Sequence, residues 1–161
     1  MLAGVKVILF TSSNLISGNY EDDYPYSAIV TGQYGGVDPD NIPYVTTSMP
    51  IRPDGSYGIG KVFGEATGRH FSDRHGLSVI CLRIGTLNRE SRPLSVRHFA
   101  TLLTHRDLVH LVDRSIQAPP EIKFGIFYGV SNNKWRIWDI SNSRDAIGYN
   151  PQDNSEEGRE R

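Results

Sequence analysis

Three short apolar runs limit what this chain can fold into. "GVKVILF", "LSVICLRI" (77–84) and "KFGIFYGV" (123–130) are nearly unbroken and rich in β-branched residues, without the strict alternation of a half-solvated strand. Each reads as a strand covered on both faces. The segments between them change period. From Tyr57 onward, Ile59, Val62, Phe63, Ala66 and Phe71 fall on one face of a helix that Gly76 stops. "THRDLVHLVDRSIQAP" is amphipathic, with Thr104 as its N-cap and Pro119 and Pro120 closing it. "RIWDISNSRDAIGY" reads as a last short helix. Buried strands alternating with amphipathic helices predict α/β layers built on a parallel sheet.

The 161 residues suffice for one domain with one core, expected over 1–150 and followed by a polar tail at 151–161 that frays. Residues 14–55 are rich in Gly, Pro, Asp, Tyr and Ser, and offer only a weak strand candidate at "YSAIVTG". So long a connection in a compact domain is functional or partly disordered.

Charge excludes some function classes. A net charge of −1 provides no basic field that would draw in nucleic acid. "MLAGVKVILF" is too short to cross a membrane, and polar "TSSN" follows it without a convincing cleavage site, so the expected location is cytoplasmic. Cys81 is the only cysteine and sits inside an apolar run, which reads as a buried, inert thiol. His70 and His75, like His105 and His110, are five apart, which matches neither a shared helix face nor metal-ligand spacing, so no metal is expected. Trp135 and Trp138 in "WRIW" read as packing rather than as a sugar-stacking platform.

"GSYGIGKV" (55–62) carries the chemistry, and it admits two readings. By Gly55, Gly60 and Lys61 it fits most of a phosphate-binding loop. Such a loop needs a buried strand before its glycines and a hydroxyl residue after its lysine. Here Pro50 and Pro53 block a central strand and Val62 stands in the hydroxyl position, so both requirements fail. In the other reading Tyr57 and Lys61 are one helical turn apart, and phenol and ammonium become neighbours. A cation held beside a phenol favours its phenolate, which can exchange a proton with a substrate hydroxyl or carbonyl. Ser12 and Ser13, after the first apolar run, would lie at the carboxyl end of a buried strand, where open α/β sheets place their ligands. A turn or capping role for these serines stays open.

"VILFTSSN", "RPDGSYGIGKVFGEATGRHFSDRHGLSVICLRIGT", "RHFATLLTHRDLVHLV" and "GVSNNKWRIWDI" together resemble the extended short-chain dehydrogenase/reductase superfamily. Within its NAD-dependent epimerase/dehydratase group they look most like uronate dehydrogenase-like proteins. The resemblance covers the C-terminal part of that fold and implies a partial Rossmann-type, three-layer α/β fold with a parallel sheet, lacking the N-terminal dinucleotide-binding half. It implies an NAD-dependent oxidoreductase acting on a sugar or sugar acid, with NADP also compatible, and a homodimer. Ser13 matches the catalytic serine, with Ser12 as substitute; Tyr57 matches the acid–base and Lys61 the lysine that tunes it and grips the nicotinamide ribose. Ile84, with Gly85 and Thr86, matches the turn that passes cofactor and substrate, and Asn14 a substrate contact. Arg97 matches an arginine that holds a sugar-acid carboxylate, a task that suits a guanidinium fork, although a surface arginine is an equal reading of the residue itself. Leu15 departs from the histidine that uronate dehydrogenases commonly carry. Residues 20–48 read as an insertion, a flap or an oligomer contact. Two alternatives remain: a nucleotide-sugar epimerase or dehydratase, and a non-catalytic truncated fragment of such an enzyme.

Overall fold

The computed structural model describes residues 4–159; the first three residues of the expected domain and the last two of the expected tail lie outside the described residues. Along the chain run β1 (Val7–Ser13), α1 (Tyr26–Val30), α2 (Ser56–His75), β2 (Ser78–Ile84), α3 (His98–Thr101), α4 (His105–Ile116), β3 (Phe124–Gly129) and α5 (Ser141–Ile147). Short 3₁₀ segments cover Asn14–Asp22, Pro39–Asn41 and Ser155–Gly158. The three strands form one parallel sheet in the order β1-β2-β3, with Ser13 opposite Ile84 and Ile84 opposite Gly129. The predicted α/β class and parallel pairing are therefore present. β1 starts three residues later than its apolar run and extends through Ser12 and Ser13, so both serines belong to the strand rather than to the turn after it.

Both long helices end where the sequence indicates. Thr104 Oγ1 accepts the Asp107 amide at 3.2 Å, capping α4. Gly76 closes α2 at φ 66°, in the left-handed region that glycine enters without penalty.

The orientation of α2 differs from expectation. Its apolar positions do share a face, but that face is turned outward: Ile59, Phe63 and Phe71 are exposed. The face against the sheet carries Gly58, Glu65 and Ser72, all buried, with Gly64 and Gly68 between them. Large side chains on the sheet explain this. Methyls at Gly64 and Gly68 would collide with the Phe10 ring and with Val79, so the sheet fills the gap and the helix must be small there. At Gly58 the obstacle is backbone, with a methyl falling 2.6 Å from the Leu15 carbonyl oxygen.

A buried ion pair fastens the same helix face. Arg83 on β2, 2% exposed, donates from Nε and Nη2 to the two carboxylate oxygens of Glu65, each at 2.9 Å. Ser12 Oγ donates to Glu65 at 2.6 Å, and Arg83 Nη1 reaches the Tyr128 hydroxyl at 3.2 Å. That hydroxyl shares a hydrogen with Ser17 Oγ at 2.7 Å. Helix, two neighbouring strands, β3 and the segment after β1 thus share one satisfied polar network, the condition under which a buried charge is tolerated. Cys81 lies buried beside it; burial first, and the Glu65 charge second, push its thiol up to about 12, in keeping with an inert core residue.

Residues 20–48 do not form a flap over the domain. Tyr20, Tyr26, Ile29, Ile42 and Val45 belong to the core, and Val45 bridges to Trp138. "YSAIVTG", a weak strand candidate, instead supplies helix α1. Trp135 and Trp138 are buried packing residues, as expected. The start of the expected tail is docked rather than frayed: Thr104 Oγ1 donates to Asp153 at 2.5 Å, and Ser155, 1% exposed, donates to the Phe99 carbonyl at 2.8 Å. Its polar side chains satisfy buried partners, which composition cannot reveal.

Two stability outcomes follow from how α2 is seated. Gly58→Ala should cost about 1–3 kcal/mol because the colliding atom is backbone, whereas Gly60→Ala, facing open space inside a helix, should gain about 0.5–1 kcal/mol. Urea denaturation of both variants checks the opposite signs. Glu65→Gln strips Arg83 of its counter-charge and should cost about 3–5 kcal/mol, while Glu65→Leu with Arg83→Met together should lose much less than two single losses. Additive losses in that cycle would show the pair to be uncoupled.

Candidate active site

The carboxyl ends of β1 and β2 gather the expected residues. Ser13 ends β1, buried, and its Oγ accepts the Leu15 amide at 3.1 Å. Its neighbour Ser12 faces α2 and is spent on Glu65. Strand alternation separates the two hydroxyls, and only Ser13 stays clear of the buried network. Asn14 is 4% exposed, its Oδ1 lies 3.5 Å from Ser13 Oγ, and its Nδ2 is buried with no hydrogen-bond partner. An orphaned buried amide is costly, and such groups concentrate where a ligand completes them.

The segment after β1 runs directly against the start of α2. The Arg52 amide donates to the Ile16 carbonyl at 2.9 Å, the Asp54 amide to the Leu15 carbonyl at 3.3 Å, and Gly58 packs on Leu15. These contacts set Tyr57, one residue before Gly58, beside the end of β1. Tyr57 is 60% exposed. One turn later Lys61 reaches back so that Nζ donates to the Thr11 carbonyl at 2.7 Å, while lying 5.3 Å from the centre of the Tyr57 ring. An ammonium has three donors, so two remain for other partners. Ser56–His75 is helical throughout, with Gly60 in its interior, and the phosphate-loop reading of the stretch is thereby excluded.

On the β2 side, Ile84 ends the strand and Gly85 turns the chain in tight surroundings, where a methyl would lie 2.3 Å from the Thr101 carbonyl oxygen. Thr86 Oγ1 shares a hydrogen with Thr101 Oγ1 at 2.6 Å. Arg97 precedes α3, its Nη1 3.5 Å from Thr86 Oγ1. Its guanidinium already has a partner. Glu21, in the Asn14–Asp22 segment, accepts from Arg97 Nε at 2.5 Å and Nη2 at 2.6 Å. The two residues are 76 positions apart, and no sequence motif links them. The histidine beside Arg97, His98, is held below its usual range by burial and then by the Arg97 charge, and its Nδ1 accepts the Leu94 amide at 3.1 Å.

Among the described residues no cluster of three or more His, Cys, Asp or Glu side chains could hold a metal, and no helix is long and apolar enough to cross a membrane.

No family model matches the chain. It is 36% identical over 159 residues to an NAD-dependent glucose-6-phosphate dehydrogenase of Haloferax volcanii, an alignment covering 96% of this chain and 56% of that protein. It is 33% identical over 153 residues to a uronate dehydrogenase of Pseudomonas putida, covering 95% and 48% respectively. Its fold superposes on the crystal structure of uronate dehydrogenase from Agrobacterium tumefaciens with a TM-score of 0.75 at 30% identity, over 96% of this chain and 49% of that one. The chain spans about half the length of the curated relatives it matches. By sequence and by fold together, it matches the C-terminal part of the uronate dehydrogenase-like proteins of the extended short-chain dehydrogenase/reductase superfamily.

Proposed function

We propose that the carboxyl ends of β1 and β2, with the first turn of α2, form the reacting half of an NAD-dependent oxidoreductase site for a sugar or sugar acid. One observation carries the reading. Tyr57 and Lys61 are stacked one turn apart, and Lys61 is pinned to the strand end that presents Ser13 and the orphaned Asn14 amide. The similar proteins described as NAD-dependent glucose-6-phosphate dehydrogenase and uronate dehydrogenase support the same class of reaction.

The residues present fit the nicotinamide end of a dinucleotide. Lys61 has two donors to spare for ribose hydroxyls, Tyr57 stands open at the helix start, and Ile84 with Gly85 forms a close wall on the other side. When bound, the dinucleotide supplies the hydride acceptor. Tyr57 Oη, as the phenolate, takes the proton from the substrate hydroxyl, and the Lys61 ammonium stabilises that phenolate before the transfer. Ser13 Oγ holds the reacting oxygen, and Asn14 Nδ2 donates to the sugar. Thr86 and Arg97, together just past the end of β2, face the sugar.

The outward face of α2, with exposed Ile59, Phe63 and Phe71, is the surface on which a homodimer of this family would form.

A second reading is favoured by the edge of the sheet. β1 has one sheet neighbour among the described residues, and Ile8 beside its free edge is exposed. In that reading the chain holds the proton-transfer residues but takes up dinucleotide only when a further segment covers β1. The pyrophosphate recognition of such folds comes from a glycine-rich turn into a helix. Among the described residues no strand leads through such a turn directly into a helix.

Two measurements separate these readings. Calorimetry with NAD on the 161-residue chain should detect no micromolar affinity under the second reading, and micromolar binding would overturn it. The chain should also be assayed with NAD and a sugar panel, alone and fused behind the N-terminal half of a uronate dehydrogenase. In whichever form turns over, Tyr57→Phe should lower kcat by roughly 10²–10⁴ and Lys61→Met should also cripple it, while Gly60→Ala leaves the rate nearly unchanged. Full turnover by the Tyr57→Phe variant would sink the proposed chemistry.

A further inference from the structure

Arg97 is already answered. Both oxygens of Glu21 engage its guanidinium, Oε2 on Nε at 2.5 Å and Oε1 on Nη2 at 2.6 Å, in the paired geometry of a strong charge-assisted contact. The acid is the better covered partner, with 13% of the Glu21 side chain exposed against 33% for Arg97. Burial opposes the Arg97 charge, yet the Glu21 hydrogen bonds and charge, with Asp54 adding to them, outweigh burial and raise its pKa. This neutralised pair lies beside Thr86, just past the end of β2 that pairs with Ser13.

An arriving carboxylate or phosphate meets a cation whose charge is already matched and whose Nε and Nη2 are both engaged by Glu21. To use them it must displace Glu21 and leave that carboxylate, largely covered, next to a second anion. Like-charge juxtaposition of this kind is a common device for rejecting a ligand. A neutral hydroxyl meets no such penalty. Arg97 Nη1 can donate to it, Thr86 Oγ1 can donate or accept, and Glu21 keeps its partner.

We propose that Glu21 is a specificity-determining residue which neutralises Arg97 and fits the sugar end of this site to an uncharged sugar, at the expense of sugar acids and sugar phosphates. The proposal rests on the reading of the site given above, and it divides the substrate classes that the reading leaves together. Glu21 belongs to the same short segment as Asn14, so one element places both the amide that completes the site and the acid that sets its charge.

The test uses the full 161-residue chain, ¹⁵N-labelled, and follows the Arg97 Nε–H signal while D-glucose, D-glucuronate or D-glucose 6-phosphate is added into the tens of millimolar. In the wild type, glucuronate and the sugar phosphate should leave that signal in place. In Glu21→Gln it should shift saturably with both anions, their affinity rising about tenfold or more over wild type. Glu21→Asp keeps the charge and should refuse the anions as the wild type does, which a purely structural role for residue 21 would not predict. A wild-type Arg97 signal that follows glucuronate to saturation overturns the proposal without any variant, and so does a folded Glu21→Gln protein as unresponsive as wild type. Arg97 is read here without turnover, so a failure of every sugar to be oxidised would sink the proposed reaction and leave this result standing.

Discussion

The Glu65–Arg83 pair is the interaction on which the rest of the arrangement depends. It joins the helix that carries Tyr57 and Lys61 to the central strand of the sheet, and it does so where water cannot compete. Glu65 is one turn beyond Lys61, so fixing its carboxylate fixes the rotation of α2 about its own axis. The same carboxylate accepts Ser12 Oγ, which fixes the end of β1. Ser13, one residue on, then points away from the network. A desolvated pair gives little net stability over a well-packed apolar substitute. Its value here is geometric: helix, strand end and the segment holding Asn14 cannot turn independently.

The glycines of α2 serve the same end. A helix normally buries its large residues, but the sheet beneath this one already supplies Phe10, Val79 and Phe124, so the contact face is reduced to Gly58, Gly64, Gly68 and the polar Glu65 and Ser72. Close approach lets Lys61 span from the helix to the Thr11 carbonyl. The apolar residues displaced from the interface appear on the outer face. Helix and sheet edge together leave Ile8, Phe63 and Phe71 uncovered, a surface of the kind on which other chains or segments dock.

Much of this was legible in the amino-acid sequence because it is local. Continuous β-branched runs marked β2 and β3 to within a residue at each end, and the Thr104 cap and the Gly76 stop bounded α4 and α2. The spacing of Tyr57 and Lys61 already implied neighbours on one helix face. What escaped depends on contacts between distant positions. Periodicity shows that α2 has an apolar face but not which way that face turns, because the answer lies in the bulk of the sheet residues. The Ser12 and Ser13 choice turns on Glu65, 53 positions from Ser12. Residues 20–48 read as an insertion relative to the family, yet Tyr20, Tyr26, Ile29 and Ile42 lie in the core. The Glu21 partner of Arg97 escaped because it lies 76 positions away in a segment without regular pattern.

The central claim is that the ends of β1 and β2 and the first turn of α2 form one ligand site. Amide chemical-shift mapping of the ¹⁵N-labelled chain, with NAD and a neutral sugar at millimolar concentration, tests it most directly. The account predicts that the perturbed amides gather at Ser13–Leu15, Tyr57–Lys61 and Gly85–Thr86. Perturbations that spare these amides and collect elsewhere would contradict it.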